Sequence, residues 1–363
     1  MKLTFNIAFT TILLSLLGIL MIYSASSYST LREFSDEFFY VKKQAIAFAV
    51  GIVMLIIGAK FNVYYLNKFK WIILFVSLIL LGLVFVPGLG VESYGATRWL
   101  NLGFTTIQPS EFSKFGLMIF LAGYLTEHPP KDLKSLIVPL ICGLGMCALI
   151  ILEPNMSITM CVGLSLLLML FVAGTPKKWF ILLFAALTIA VPLMIILEPY
   201  RMKRLTAFIN PWQNPKNEGY QLIQSYFALG GGGLFGVGLF KSRQKYLFLP
   251  FAESDFIFSV IGEELGLIGC LFVMGVFALL IYSGIMTALR ADCFYKRLLA
   301  TGITGVIAIQ TLINIAVVTG TIPPTGLPLP YVSAGGTALM AYMFASGVLI
   351  NIASPMQKSN HKM

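Results

Sequence analysis

The sequence reads as an all-α polytopic membrane protein with ten transmembrane helices and one long extracytoplasmic loop between the seventh and the eighth. Apolar side chains fill 58% of its 363 positions and charged ones only 11%, where an ordinary soluble domain carries roughly 25%. So few charges cannot cover a water-facing surface, and mean hydropathy is high at +0.88. The apolar residues also come in runs of the length a bilayer demands, about 20 residues for each helical crossing.

Ten such runs lie near 7–24, 43–59, 71–87, 111–126, 135–151, 157–173, 179–197, 255–283, 298–320 and 335–353. No small-residue cleavage site follows the first, so it is expected to span the membrane and not to be removed as a signal peptide. The fourth run is the least apolar, with Glu111 and Lys114 in its first turn. No soluble domain fits between the runs. The whole chain, 1–363, is expected to form one transmembrane unit that includes the loop 198–254.

Orientation follows from Lys and Arg in the short loops, which stay on the cytoplasmic side. An even number of spans puts both termini on one side. That side collects thirteen: Lys2, Lys60, Lys68, Lys70, Lys131, Lys134, Lys177, Lys178, Arg290, Lys296, Arg297, Lys358 and Lys362. The opposite short loops hold four, Arg32, Lys42, Lys43 and Arg98. The 57-residue loop 198–254 adds seven more to that face. It is near the length at which loops cross regardless of charge, so it does not enter the comparison. Both termini are expected in the cytoplasm. The long loop, rich in Tyr, Phe and Trp, is expected to lie on the outer membrane surface with an amphipathic helix over 219–229.

Several chemistries are excluded or weakened by composition. His128 and His361 are the only histidines, too few for a His-built zinc site or a Ser-His-Asp triad. Cys142, Cys147, Cys161 and Cys270 sit inside apolar runs and Cys293 beside basic residues; neither a disulfide framework nor a zinc knuckle is expected. The net charge of +10 belongs to membrane sidedness and not to nucleic acid. Gly231-Gly232-Gly233-Leu234-Phe235-Gly236 contains G-x-G-x-x-G, but no strand precedes it, so a tight loop is expected in place of a nucleotide site. Ser242-Arg243-Gln244-Lys245 has the S-x-x-K spacing without its companion motifs, and chance explains it. The basic trio Lys241, Arg243 and Lys245 fits a phosphate-bearing ligand and a lipid headgroup equally well.

Charges at or within spans are functional candidates. Glu111 and Lys114, three residues apart, are placed to pair with each other or to line a cavity. Glu153 and Glu198, each before a proline, read as helix-end residues. Glu263 and Glu264 lie a few turns into the eighth run and need partners. Asp255 opens that run at the outer face, and position alone favours an N-cap or first-turn carboxylate stabilised by the helix dipole. The proline-rich stretch 321–336 cannot be a regular helix and reads as a broken segment buried against protein.

Together these motifs resemble the SEDS family (shape, elongation, division and sporulation). Thr106-Ile107-Gln108-Pro109-Ser110-Glu111-Phe112 with Lys114 is similar to its I-Q-P-S-E-F-x-K signature. Asn210-Pro211-Trp212, Gly219-Tyr220-Gln221, Asp255-Phe256-Ile257-Phe258, Gly262-Glu263-Glu264-Leu265-Gly266 and Gly326-Leu327-Pro328-Leu329-Pro330 carry the resemblance to the last span. Ser242-Arg243-Gln244-Lys245 with Leu249-Pro250 is closer to the FtsW/SpoVE branch than to RodA. The sequence departs at Ser254, where Thr is common, at Glu153-Pro154-Asn155, which lacks the usual Asp, and at Ser333-Ala334-Gly335-Gly336.

The resemblance implies a peptidoglycan glycosyltransferase of the bacterial cytoplasmic membrane that polymerises lipid II, with a class B penicillin-binding protein as partner. It implies Asp255 as the functional acid, and Arg98, Glu111 and Lys114 at the substrate; from the basic trio, Arg243 or Lys245 is a candidate for further positive charge there. Glycosyl transfer from a diphosphate needs a base for the acceptor hydroxyl and positive charge for the leaving group. Asp255 suits either the base or a ligand of a divalent cation, Mg or Mn. Two other classes compete: a transporter that flips the lipid, and a scaffold for a penicillin-binding protein. The charge bias makes the first prediction. A lone cysteine at Asn217→Cys should react with an impermeant thiol reagent in intact cells, whereas one at Lys177→Cys should be protected.

Overall fold

The computed structural model describes residues 2–93, 96–103, 105–196, 198–217 and 219–354. Lys358, His361 and Lys362 and the side chains of Tyr200 and Arg201 lie outside the described residues. Each of the ten predicted apolar runs contains a helix: α1 (Lys2–Phe34), α2 (Phe39–Lys60), α4 (Lys70–Leu83), α5 (Pro109–Glu127), α6 (Leu133–Leu152), α7 (Met156–Val172), α8 (Lys177–Ile196), α11 (Ile257–Leu289), α12 (Phe294–Val318) and α13 (Gly336–Ala353). Of these, α4 stops four residues short of its run. A short α3 (Val63–Lys68) precedes α4, and α9 (Pro199–Ile209) and α10 (Tyr220–Gly232) lie in the long loop. Among the described residues, α1, α2, α6, α11, α12 and α13 are long and apolar enough to cross a membrane, and α4 and α7 are shorter apolar helices. This is a multi-pass membrane protein.

The least apolar run turns out to be the innermost. Pro109 starts α5 at a position where its missing N–H costs nothing, and from Pro109 to Leu125 almost every side chain is buried. The helix is wrapped by α4, α7, α12 and α13, so Glu111 and Lys114 face protein and not lipid. Elsewhere the helices begin as their sequences dictate. Asn62 and Asn155 cap α3 and α7 by accepting from Tyr64 and Ile158 N–H groups, and Asp132 with Ser135 forms a capping box on α6.

The loop 88–110 carries a small sheet that the sequence does not predict. β1 (Gly90–Ser93), β2 (Ala96–Asn101) and β3 (Thr106–Ile107) form an antiparallel β1-β2-β3 sheet. Val91 pairs with Trp99 and Leu100 with Ile107, and a bulge follows Val91. Branched and aromatic side chains favour this pleat, but the strands are too short for their alternation to stand out. The long loop is also more internal than expected. α10 buries Leu222, Ile223, Ser225 and Ala228 against α11, and the Ser225 hydroxyl meets Ser259 at 2.8 Å and donates to the Val318 carbonyl at 2.7 Å.

The glycine run closes a break in α11. Gly266 takes φ 69° and ψ −168° inside that helix, which interrupts its hydrogen-bond ladder. The segment after α10 fills the gap. Val237 and Gly238 N–H donate to the Glu263 and Glu264 carbonyls at 2.9 and 3.0 Å, and Leu267 and Ile268 N–H donate to the Gly233 and Leu234 carbonyls at 2.9 and 3.2 Å. The groups freed by the break are thus paired, as they must be away from water. A Cβ on Gly266 would stand 2.3 Å from the Gly236 nitrogen. Gly266→Ala should therefore lower stability in detergent by on the order of 2 kcal/mol. Gly275→Ala, on the same helix with nothing within 4 Å, is the control and should leave the melting temperature level or raise it.

Candidate active site

Asp255 lies in the turn before α11, whose N-cap position is Phe256 with no side-chain cap. The helix-cap reading of Asp255 therefore does not hold. What the structure fixes is its backbone. The Glu253 carbonyl accepts from Ala334 N–H at 2.9 Å, the Ser254 carbonyl from the Ser333 hydroxyl at 2.6 Å, and the Asp255 carbonyl from Asn314 Nδ2 at 2.9 Å. Three successive peptide units are thus held by α12 and the proline-rich loop. Ser333 also accepts from Leu329 N–H at 2.8 Å, and Asn314 Nδ2 also donates to the Leu327 carbonyl at 2.7 Å, so the loop is bound by the same atoms.

One hydrogen bond, one close backbone approach and two cations act on the carboxyl itself. Ser254 Oγ donates to Asp255 Oδ1 at 3.1 Å. Gly326, at φ 78°, comes so close that a Cβ there would lie 3.1 Å from Asp255 Oδ2, a position that suits glycine on both counts. Two guanidiniums act on the carboxylate, Arg204 of α9 and Arg98 of β2. Arg204 Nη1 is held by the Pro324 carbonyl at 3.1 Å. Arg98 is held by the α6–α7 corner, with Nε donating to the Glu153 carbonyl at 3.1 Å and Nη2 to the Pro154 carbonyl at 2.5 Å. The Ser157 hydroxyl of that corner donates to the Thr325 carbonyl. Burial raises the Asp255 carboxyl above the usual carboxylate range, while the Ser254 hydroxyl, Arg204 and Arg98 pull it down. Burial likewise pushes Glu153, just past α6, up to about 8, opposed by Arg98.

Glu111 and Lys114 form a fully buried pair at 2.6 Å. The Lys114 ammonium also donates to Gln310 Oε1 and Tyr342 Oη, each at 2.8 Å. An ammonium has three donors, and all three are occupied, so the structure does not present this cation to a diphosphate as the sequence reading expected. Gln310 carries the network onward, its Nε2 donating to the Pro328 carbonyl at 2.9 Å.

Arg243 and Lys245 lie elsewhere. The two carboxylates of Glu263 and Glu264 accept from the backbone N–H groups of Phe240, Ser242, Arg243 and Gln244, and Ser24 of α1 donates to Glu264 at 2.5 Å. Ser242 Oγ donates to Glu263. The buried Lys245 ammonium donates to the Phe240 carbonyl at 2.5 Å. This turn is folded onto α11 by its own polar groups, and the Lys245 cation closes it and does not reach Asp255. The Arg243 side chain is exposed.

A family model covering FtsW, RodA and SpoVE, described as cell cycle protein, matches residues 4–358. The chain belongs to the FtsW/RodA/SpoVE family. It is 38% identical over 348 residues to stage V sporulation protein E of Bacillus subtilis, covering 94% of both chains. It is 37% identical to the probable peptidoglycan glycosyltransferase FtsW of Geobacter metallireducens, covering 95% of this chain and 92% of that one. A chain of a solved peptidoglycan synthase complex, in which polymerisation and crosslinking are coordinated, matches with a TM-score of 0.80 at 27% identity over 96% of this chain and 97% of that one. The rod shape determining protein RodA of Thermus thermophilus matches with a TM-score of 0.71 at 26% identity over 96% and 95%.

Within this FtsW/RodA/SpoVE fold, two residues join the site that sequence reasoning did not assign to it. In the sequence Arg204 is one of seven loop charges and Glu153 a helix-end residue before a proline. The signal for Arg204 is the amphipathic run that makes α9, which places Arg204 at its middle. The buried pair generates a stability prediction. Lys114→Met strands the Glu111 carboxylate and should cost about 3–5 kcal/mol. Glu111→Gln/Lys114→Met removes both charges and should recover most of that loss in the same denaturation assay.

Proposed function

We propose that this chain is a peptidoglycan glycosyltransferase that joins lipid II units into glycan strands at the outer face of the cytoplasmic membrane. On this reading it crosses the membrane ten times, with both termini inside and the loop 198–254 outside. The observation that carries the proposal is one carboxylate with a fixed backbone, Asp255, in the field of two guanidiniums that backbone oxygens hold in place. That arrangement suits a reaction in which one oxygen loses a proton while a diphosphate leaves.

Asp255 accepts the proton of the acceptor sugar hydroxyl as that oxygen attacks the donor's anomeric carbon. The new carbon–oxygen bond forms opposite the bond to the diphosphate, which breaks, so the centre inverts. Arg98 and Arg204 offset the charge that develops on the diphosphate, and because their own positions are fixed they need little rearrangement to do so. Glu111 and Lys114 act at one remove, by holding Gln310 and through it the loop that touches Asp255. Arg243 lies where it meets the lipid substrate on approach. Among the described residues no three His, Cys, Asp or Glu side chains converge. Asp255 is the residue that would hold a Mg²⁺ or Mn²⁺ ion, which would supply further charge neutralisation for the diphosphate. Crosslinking falls to a class B penicillin-binding protein, in keeping with the synthase complex that this fold matches.

The test is polymerisation of lipid II by the purified chain with its partner in detergent, where there is no membrane to flip a lipid across. Wild type should make glycan strands, which neither a transporter nor a scaffold would do. Asp255→Asn keeps the shape and removes the base, and should lower the rate roughly 10²–10⁴-fold at unchanged partner binding and melting temperature. Since burial raises the Asp255 carboxyl, it loses its charge at a higher pH than an ordinary carboxylate. The wild-type rate should therefore fall with decreasing pH through a midpoint above 3.8. Near-normal turnover by Asp255→Asn would leave the enzyme without its base.

A further inference from the structure

At the corner between α6 and α7, the Glu153 side chain has no exposed surface, and neither carboxyl oxygen has a hydrogen-bond partner. An ionised carboxylate in that state has lost its hydration with nothing to replace it. The neighbouring cation does not supply the missing bonds, because the hydrogen bonds of Arg98 to this corner go to the Glu153 and Pro154 backbone oxygens. At this corner Arg98 is therefore held by backbone dipoles and not by the Glu153 carboxyl.

We propose that Glu153 is a positioning residue of the transferase: as an uncharged acid it stands behind Arg98 and leaves that guanidinium's charge for the substrate's diphosphate. On ionising it would pair with Arg98, draw it away from the site and cancel its field. The inference rests on the transferase reading given above.

The surroundings of Glu153 leave Arg98 as the charge that matters. α6 packs against α4, α5 and α7. α5 brings Glu111 and Lys114, bound to each other, and Glu127, bound to Lys70 of α4. α7 brings Cys161, and α6 itself Cys147. Of all these groups only Arg98 acts on the Glu153 carboxyl, and burial outweighs it, holding the proton up to about pH 8. The field of Arg98 also reaches Asp255, so a change of charge at Glu153 bears on both the leaving-group side and the base.

The test compares lipid II polymerisation by wild type and Glu153→Gln, each as the full chain with its partner, across the alkaline range. The protonated fraction falls tenfold for each pH unit above the pKa, so the wild-type rate at pH 9 should be roughly a tenth of that at pH 7. The Gln variant, neutral throughout, should hold a ratio near one. Coincident alkaline limbs overturn the proposal. A second measurement needs neither turnover nor the Gln variant: infrared spectra of Glu253→Gln/Asp255→Asn, in which the neighbouring carboxyls are silent. A carboxylic-acid carbonyl band at pH 7 that is lost by pH 9 supports the assignment, and the lack of any band titrating there overturns it. If wild type makes no polymer at any pH, the transferase reading fails instead, and the infrared result still decides the state of Glu153.

Discussion

Three peptide carbonyls in a row, those of Glu253, Ser254 and Asp255, each take a hydrogen bond from a part of the chain far away in sequence. Everything at the site follows from that clamp. A carboxylate that must meet a sugar hydroxyl has to be aimed, and the residues next to Asp255 in the chain cannot aim it, because they form an irregular turn. The proline-rich loop does so instead. Pro323, Pro324, Pro328 and Pro330 have no N–H to leave unpaired in an apolar setting. Two of the donors that the loop does keep, Ala334 N–H and the Ser333 hydroxyl, point at the turn.

α12 acts as the ruler between the two polar centres. Gln310 and Asn314 are one turn apart and share a face. One takes hydrogen bonds from Lys114 and Tyr342, at 2.8 and 2.5 Å, and donates to Pro328. The other donates to Leu327 and Asp255. The buried pair on α5 and the carboxylate in the turn before α11 are therefore coupled through adjacent carbonyls of one loop. This accounts for a costly buried ion pair in the most enclosed helix: the pair fixes where a side-chain amide sits, and the amide fixes the loop.

How much of this could be read in the sequence depended on the range of the interactions. The helices were legible because each apolar run states its own length, and the broken 321–336 segment because proline acts locally. Asp255 was legible by position only as an acid at the start of an apolar run, and its functional role entered through the family resemblance. Its clamp was not legible, since the partners of Ser254 and Asp255 lie 79 and 59 residues away. Lys114 and Lys245 looked like available cations because charge is visible in a sequence and saturation is not. Arg98 entered through family resemblance, and the sheet that carries it has strands too short to show a period. Glu153 was visible only as a residue before a proline, and its isolation from any donor is a property of the packed corner.

The break in α11 bears on where the molecule tolerates added length. Residues 233–238 pair with the helix on both sides of Gly266, and residues 240–244 pair with the carboxylates one turn before it. One extra residue between Gly233 and Gln244 would shift every later donor past its acceptor, much as a one-residue slip ruins a strand register. The stretch around Asn214–Asn217 is held mainly by its own turns and is largely exposed. An epitope tag or fluorophore belongs there, and chimaeras between relatives should exchange the glycine segment and α11 as one piece.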